Sequence, residues 1–181
     1  IADKIYRLRT HGITRDKAIM KERLKDEIWN YQQIDLGYNY RMNDIQAALG
    51  LNQMKRLDEY VKRRHKIAKY YDTKLKNLTV TAPWQAPNVN SSYHLYPILI
   101  KANLNFKTQR QVYDELRKND IGVNLHYIPV HRHPYYEHLG FKKNDFPVAE
   151  KFHQEAISIP MHAMLQDEQQ AHVVKILKNI T

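Results

Sequence analysis

The stretch Gly37–Leu57, GYNYRMNDIQAALGLNQMKRL, predicts a tight polar turn that leads directly into an amphipathic helix. Asn43 is a favoured N-cap residue, and Gln46 three positions later completes a capping-box pattern. Asp44 at the first helical position suits the positive end of the helix dipole. We therefore expect a helix that begins at Asp44.

Apolar residues continue at roughly helical spacing beyond this start, which extends the predicted helix to Lys76. The residues of this stripe are Ile45, Leu49, Leu57, Val61, Ala68, Tyr71 and Leu75. One helix over 44–76 would be about 50 Å long, which is more than a small domain needs. We expect such a helix to bridge two domains or two subunits.

The turn ahead of the helix presents the amide of Asn39 and the guanidinium of Arg41 close to the helix start. Groups in this position commonly hold an anion such as a phosphate. The competing interpretation is that Asn39 is a turn residue that tolerates a positive φ and that Arg41 is a surface charge. Spacing alone favours this second interpretation.

Composition limits the class of protein. The 181 residues can bury a sizeable core, and the absence of cysteine excludes disulfides and thiolate metal sites, which fits a reducing cytoplasm. No apolar run approaches the ~20 residues of a membrane span. Twenty-nine basic and 19 acidic residues give a net charge of +10, which favours anionic partners. Acidic residues are interspersed among the basic ones, so a solvated helix face is favoured over a nucleic-acid surface.

Residues 1–42 are predicted to start inside a helix, because Ile1, Ile5 and Leu8 have helical spacing, and then to form a loop over 8–33 with one short helix. We expect the sequence to be a piece of a longer protein. Residues 79–181 predict a small α/β domain. Its expected strands are 93–100, 120–126 and 156–159, and its expected helices are 108–119, 145–155 and 167–179. Pro97 favours an edge position or a bulge for the first strand.

Four histidines lie within thirteen residues: His126, His131, His133 and His138. Pro129 and Pro134 predict a structured loop after a strand, where α/β domains commonly bind ligands. A substrate-lining loop is the preferred interpretation, and an ordinary polar loop is the second. A zinc site is the third, because no thiolate or carboxylate adds ligands at a recognisable spacing.

The sequence contains no GxxxxGK[ST], GxGxxG or GxSxG motif and no cysteine nucleophile. It therefore predicts no complete catalytic apparatus within this chain.

Over essentially its whole length, the sequence resembles the C-terminal part of the DegT-type nucleotide-sugar aminotransferases, pyridoxal-phosphate (PLP) enzymes of fold type I. The matching segments are Leu8–Ile13, Leu36–Met42, Asp44–Gly50, Tyr93–Tyr96, His126–His131, Pro134–Tyr136 and Ala156–Met161, together with Gln53, Leu57 and Arg63. The His126–His131 segment, combined with Pro134–Tyr136 and Gly140-Phe141, resembles most the subgroup that makes UDP-4-amino-4,6-dideoxy-N-acetyl-β-L-altrosamine for pseudaminic acid.

The resemblance implies an α/β fold: the small C-terminal domain of a fold-type-I PLP aminotransferase, preceded by the end of the large domain and a long connecting helix. Residues 1–42 would be the end of the large domain, 43–78 the bridging helix and 79–181 the small domain. Members are dimers with active sites at the subunit interface. A homodimer without nucleic-acid or membrane partners is therefore expected.

The family's site residues can be carried over position by position. Asn39 and Arg41 match residues that contact the cofactor across the subunit interface, with the asparagine directed at the cofactor phosphate. The positions expected near the sugar nucleotide are Tyr38, His94, His126, Tyr127, His131 and Tyr135. No metal ligand is implied.

The family's Schiff-base lysine has no counterpart here, so no catalytic residue is expected in this chain, which should be inactive alone and bind PLP weakly or not at all. The complete enzyme would move an amino group from glutamate to the 4-keto carbon of a UDP-linked deoxy sugar. One alternative is a basic non-enzymatic module that binds an anionic partner, and it predicts steeply salt-dependent binding to DNA or RNA.

Overall fold

The computed structural model describes residues 1–21, 31–101 and 107–181. These residues separate into two compact units, Ile1–Lys55 and Arg56–Thr181, called unit 1 and unit 2 below. Residues 22–30, which belong to the predicted loop with its short helix, and 102–106, which follow the predicted strand over 93–100, lie outside the described residues.

Within its described residues, unit 1 contains two helices and one pair of very short strands. Its elements are α1 (Ala2–Leu8), β1 (Ile13–Thr14), β2 (Gln32–Gln33) and α2 (Asp44–Met54). The two strands pair antiparallel. The predicted start of α2 is confirmed, since the Asn43 side chain accepts from the Gln46 N–H at 2.9 Å and the Gln46 side chain accepts from the Asn43 N–H at 3.2 Å.

The described part of unit 2 is built on a three-stranded antiparallel sheet covered by helices. Its elements are α3 (Leu57–Leu75), β3 (Val80–Thr81), β4 (Tyr96–Ile100), α4 (Gln109–Lys118), a 3₁₀ turn (Val130–Arg132), α5 (Pro134–Glu137), α6 (Pro147–Glu155), β5 (Ala156–Ile159) and α7 (Asp167–Ile180). The strand order is β3-β4-β5. The predicted strand 156–159 is confirmed. The helix expected over 108–119 is observed as α4, with Thr108 as its N-cap in a capping box.

The prediction of one uninterrupted helix over 44–76 is wrong. α2 ends at Met54 and α3 begins at Leu57, because Arg56 leaves the helical region with φ −106° and ψ 3°. The interruption falls at the boundary between the two units. Whether this region bridges domains or subunits stays a prediction.

The core of unit 2 lies between the sheet and the helices α3, α4 and α7. Its members include Ile67, Tyr71 and Leu75 of α3, alternate residues of β4, and Val112 and Leu116 of α4. On α7 the buried apolar side chains are Val173 and Leu177, whereas Ala171 is exposed. Side chains that recur at helical and strand periods thus build one contiguous core.

Pro97 lies in the central strand rather than in an edge strand. It faces Ser158 of β5, whose N–H and carbonyl both bond to Asn124, so this pair needs no hydrogen bond from Pro97. β3 pairs only with Leu99 and Ile100, and at Pro97 the other side of β4 carries no paired strand residue of the described chain. The proline therefore costs the sheet no hydrogen bond.

The predicted strand over 120–126 is wrong and reduces to one antiparallel bridge between Asn124 and Ser158. The reason is the end of α4. Asp120 adopts φ +58°, and the N–H groups of Asp120 and Ile121 donate to the carbonyls of Arg117 and Leu116. This arrangement is a Schellman motif, which ends the helix and occupies the residues where the strand was expected.

No helix among the described residues combines the length and the apolar character needed to cross a membrane.

Candidate functional site

The loop that carries Asn39 is fixed by backbone hydrogen bonds to the end of α1 and to the segment that follows it. Tyr38 donates its N–H to the Leu8 carbonyl at 2.7 Å and accepts from the His11 N–H at 2.9 Å. Tyr40 donates to the Arg9 carbonyl at 3.0 Å. The loop is therefore positioned by main-chain bonds on both sides of Asn39.

Two glycines allow these segments to approach so closely. A Cβ atom on Gly37 would lie 2.2 Å from the Gly12 nitrogen and 2.6 Å from the His11 carbonyl carbon. Gly12 has φ +72°, and a Cβ there would lie 1.8 Å from the Asp35 oxygen. Both positions require glycine, because a side chain would collide with backbone atoms.

Asn39 and Arg41 lie together on the exposed side of this loop. The Arg41 Nε–H donates to Asn39 Oδ1 at 2.9 Å, and both side chains are exposed. This bond directs the amide oxygen toward the guanidinium and leaves the Asn39 NH₂ and the terminal guanidinium nitrogens as outward donors. A set made only of donors suits an anion, and so fits the phosphate of a cofactor such as PLP.

Unit 2 contains a groove of about 760 Å³ between the segment His126–Val130 and the beginning of α6. Its second wall consists of residues 145–149 and Phe152. Most of its lining side chains are apolar, and Tyr127 and Val148 remain 68% and 83% exposed. An apolar groove with a few polar groups at its edge has the character of a small-molecule site.

His126 contributes the polar edge of the groove and is held by two neighbours. Its Nε2 lies 3.2 Å from the Asn124 side-chain nitrogen, and its Nδ1 lies 2.9 Å from the Ser158 hydroxyl. An amide nitrogen only donates, so Nε2 accepts and Nδ1 carries the proton that it donates to Ser158. The Leu125 N–H, which donates to Asn124 Oδ1 at 2.8 Å, supports this orientation of the amide.

His131 is buried rather than open to the groove. It is 6% exposed, and its Nε2 lies 2.9 Å from Glu150 Oε1. Its ring packs against Phe146, which lines the groove, with 4.9 Å between ring centroids. Its predicted contact with the sugar nucleotide stays a prediction, and its observed contacts are with the protein.

Glu150 is a buried carboxylate with three partners. The Asn144 N–H donates to Oε1, and Arg132 Nη1 donates to Oε2, each at 3.3 Å, in addition to the His131 bond. Burial alone would raise the pKa of Glu150, but these hydrogen bonds and the nearby Arg132 charge outweigh burial and lower it. The carboxylate is therefore held in its charged form.

The remaining predicted positions are not gathered in the groove. His94 is exposed just before β4, and Tyr135 is exposed on α5, where its ring contacts Tyr136 at 5.3 Å between centroids. Tyr38 belongs to unit 1 and stacks on Tyr40 at 5.1 Å. Their substrate contacts stay predictions.

The zinc interpretation gains no support from the geometry. Within residues 1–21, 31–101 and 107–181, no three His, Asp or Glu side chains are placed to share a metal ion.

Three residues of the site do not follow from sequence reasoning: Asn124, Ser158 and Glu150. Each one binds a histidine of the 126–131 segment, but the separations along the chain are 2, 32 and 19 residues. The available signal is weak. Glu150 is an acidic residue in the first turn of a helix, a common position that favours the helix dipole without indicating burial.

Comparison with known proteins shows which family the chain resembles. The sequence model of the DegT/DnrJ/EryC1/StrS aminotransferase family matches residues 1–178. The protein MJ1066 of Methanocaldococcus jannaschii is 39% identical over 99% of this chain and 47% of its own length. A UDP-4-amino-4,6-dideoxy-N-acetyl-β-L-altrosamine transaminase of Campylobacter jejuni is 34% identical over 90% of this chain and 40% of its own length.

Solved structures of aminotransferases are also similar to this chain. PseC of Helicobacter pylori, an aminotransferase involved in pseudaminic acid biosynthesis, superimposes with a TM-score of 0.78 at 29% identity, over 98% of this chain and 45% of that one. The PLP-form of Spr1654 from Streptococcus pneumoniae gives a TM-score of 0.80 at 27% identity, over 98% and 42%. This chain spans less than half the length of these proteins, and its predicted fold class is confirmed. The chain belongs to the DegT/DnrJ/EryC1/StrS aminotransferase family.

Proposed function

We propose that this chain is the C-terminal part of a PLP-dependent transaminase that moves an amino group from glutamate to the 4-keto carbon of a UDP-linked deoxy sugar. The proposed product belongs to the pseudaminic acid type, and the proposed working form is a cytoplasmic homodimer. Family membership and the similarity to the Campylobacter jejuni transaminase support the reaction and the sugar.

The observation that carries the proposal is the donor pair Asn39–Arg41. It lies on a loop whose position is set by main-chain bonds and by the close approach of Gly12 and Gly37. A positioned amide and a positioned guanidinium bind an anion at little entropic cost, because neither the loop nor the pair must be ordered first. The proposed role of the pair is to hold the cofactor phosphate.

PLP, when bound, supplies the electron sink that lets an amino group leave one carbon and join another. This chain's own residues would bind and orient. The Asn39 NH₂ and the Arg41 guanidinium would donate to the cofactor phosphate. In unit 2, the Tyr127 ring and the face of the His126 ring would contact the sugar nucleotide at the edge of the groove, because both ring nitrogens of His126 are already bonded to protein groups.

The amino-group chemistry itself requires a cofactor-tethering lysine, which this chain does not supply in the family's context. The proposal therefore assigns no proton transfer to a residue of this chain. It predicts that the 181 residues alone show no transaminase activity.

The first experiment replaces Asn39 by alanine in the natural gene product that carries this sequence. Loss of a hydrogen bond to a charged group costs about 1.5–3 kcal/mol. We expect the dissociation constant of the cofactor to rise about 10- to 100-fold. The visible absorbance of bound PLP provides the measurement. Asn179→Ala, at an exposed position of α7, is the matched control and should leave cofactor affinity unchanged. Equal affinity in Asn39→Ala and the control would refute the assigned role.

The second experiment tests the reaction. The gene product is incubated with glutamate and either a UDP-linked or a GDP-linked 4-keto-6-deoxy sugar, and 2-oxoglutarate and the aminated sugar are measured by mass spectrometry. We expect turnover with the UDP sugar. Turnover with the GDP sugar alone would overturn the substrate assignment, and absence of 2-oxoglutarate with both would overturn the reaction.

A further inference from the structure

Glu150 is an unusual residue for the interior of this unit. Its side chain carries a carboxylate and is only 3% exposed. The other side chains of α6 are largely exposed. A buried carboxylate is tolerated only when hydrogen bonds replace its lost hydration. Glu150 has such bonds to three residues in two separate segments of the chain.

The three partners tie the two walls of the groove together. His131 and Arg132 belong to the 3₁₀ turn that continues the wall His126–Val130. Asn144, with φ +76°, belongs to the turn that enters the opposite wall. Glu150 itself lies in the first turn of α6, which forms that opposite wall. One carboxylate therefore fixes both walls relative to each other.

Apolar packing transmits this placement to the groove surface. The His131 ring, held by Glu150, packs against Phe146, and Phe146 lines the groove. Tyr127 and Val148, on opposite walls, are too exposed for their own packing to set the separation of the walls. The Glu150 bonds and the His131–Phe146 contact therefore join the two walls.

We propose that Glu150 is a positioning residue: through His131, Arg132 and Asn144 it sets the separation of the groove walls and thereby the affinity for the sugar nucleotide. The proposal rests on the proposed function, which assigns the groove to that ligand. Because Glu150 is buried, its proposed action is indirect, through the residues it holds.

The experiment compares Glu150→Gln in the natural gene product with Glu137→Gln, a matched control at an exposed position of α5. The glutamine keeps the size of the side chain and removes its charge. We expect KM for the UDP sugar to rise about tenfold, equivalent to 1.4 kcal/mol, while KM for glutamate stays within about twofold. Arg132→Gln, which removes one partner, should shift the same constant in the same direction by less.

A general loss of folding would give another pattern. Equal increases of both KM values, in proportion to a lowered Tm, would mean that Glu150 is only structural and would overturn the proposal. So would Glu150→Gln kinetics identical to those of the control.

Hydrogen exchange provides a readout that does not need activity. In Glu150→Gln the amides of 130–133 and 144–150 should exchange faster, while those of β4 keep their rates. If the wild-type protein transfers no amino group to any sugar nucleotide, the proposed function fails, and faster exchange in these segments would still establish that Glu150 holds the walls. Unchanged exchange would overturn the positioning role itself.

Discussion

The interactions that stabilise unit 1 internally differ from those that stabilise unit 2. Unit 2 buries a continuous apolar core that includes fully buried side chains such as Ile98, Leu116 and Leu177. No described residue of unit 1 belongs to that core, and α1 and α2 have no buried residues. Unit 1 depends instead on main-chain bonds, glycine contacts and the partly buried Arg7–Asp35 ion pair at 2.7 Å.

The difference shows what each unit can do. Helices of this length are marginal in water without tertiary packing, yet α2 exposes Ile45, Leu49 and Leu51 by 83%, 61% and 67%. Unit 2 can stabilise its own groove, whereas unit 1 has precise main-chain geometry at the Asn39 loop and little apolar burial to maintain it. The candidate anion contacts thus lie on the less stabilised unit.

The largest expected effect tests whether stability resides in unit 2. Leu116→Ala removes a fully buried side chain and should lower the free energy of unfolding of the chain by about 2–5 kcal/mol in urea denaturation. Leu51→Ala, at an exposed position of α2, is the matched control and should change it by less than about 0.5 kcal/mol. Comparable losses in both variants would contradict the contrast between the units.

An intermediate effect is expected in unit 1, where geometry replaces burial. Gly37→Ala places a Cβ atom against backbone atoms and should cost about 1–3 kcal/mol locally, seen as faster hydrogen exchange of the Tyr38 and Tyr40 amides. Gly50→Ala, in the interior of α2 with nothing near the new atom, should stabilise the helix by about 0.5–1 kcal/mol. If the two alanines act alike, the close approach of the glycines does not maintain the loop.

The smallest effect concerns the pH dependence of the stability of unit 2, which depends on Glu150. The pKa of Glu150 is lowered in the folded state, so its charged form stabilises the fold above its ordinary pKa of 4.5, and this contribution is lost as the pH falls through the folded pKa. The difference in Tm between wild type and Glu150→Gln should therefore be largest at pH 7 and should decrease below pH 4.5. A difference that is independent of pH would show that the charge of Glu150 does not stabilise unit 2.

Local signals predicted the parts of the fold that neighbouring residues determine. The capping box at Asn43 is confirmed because the cap and its partner lie three residues apart. Strand 156–159 follows from a short apolar run bounded by Pro160. The interruption after Met54 and the Schellman motif at Asp120 escaped prediction, since neither has a proline or a glycine at the point where the helix ends.

The residues of the candidate site also fall into two groups, those predicted from local sequence and those placed only by tertiary packing. The order of residues placed Asn39 and Arg41 on one exposed turn, and placed His126 and Tyr127 together at the groove, because these pairs are close along the chain. The sequence by itself therefore determined the family and the elements with clear local signals, such as the start of the helix at Asp44 and the strand 156–159. Only the tertiary structure decided that His131 is buried, that Ser158 and Asn124 orient His126, and that Glu150 joins the groove walls. These contacts depend on packing between segments that share no period or motif, and a hydrogen bond across such a distance leaves no pattern in the residues that make it.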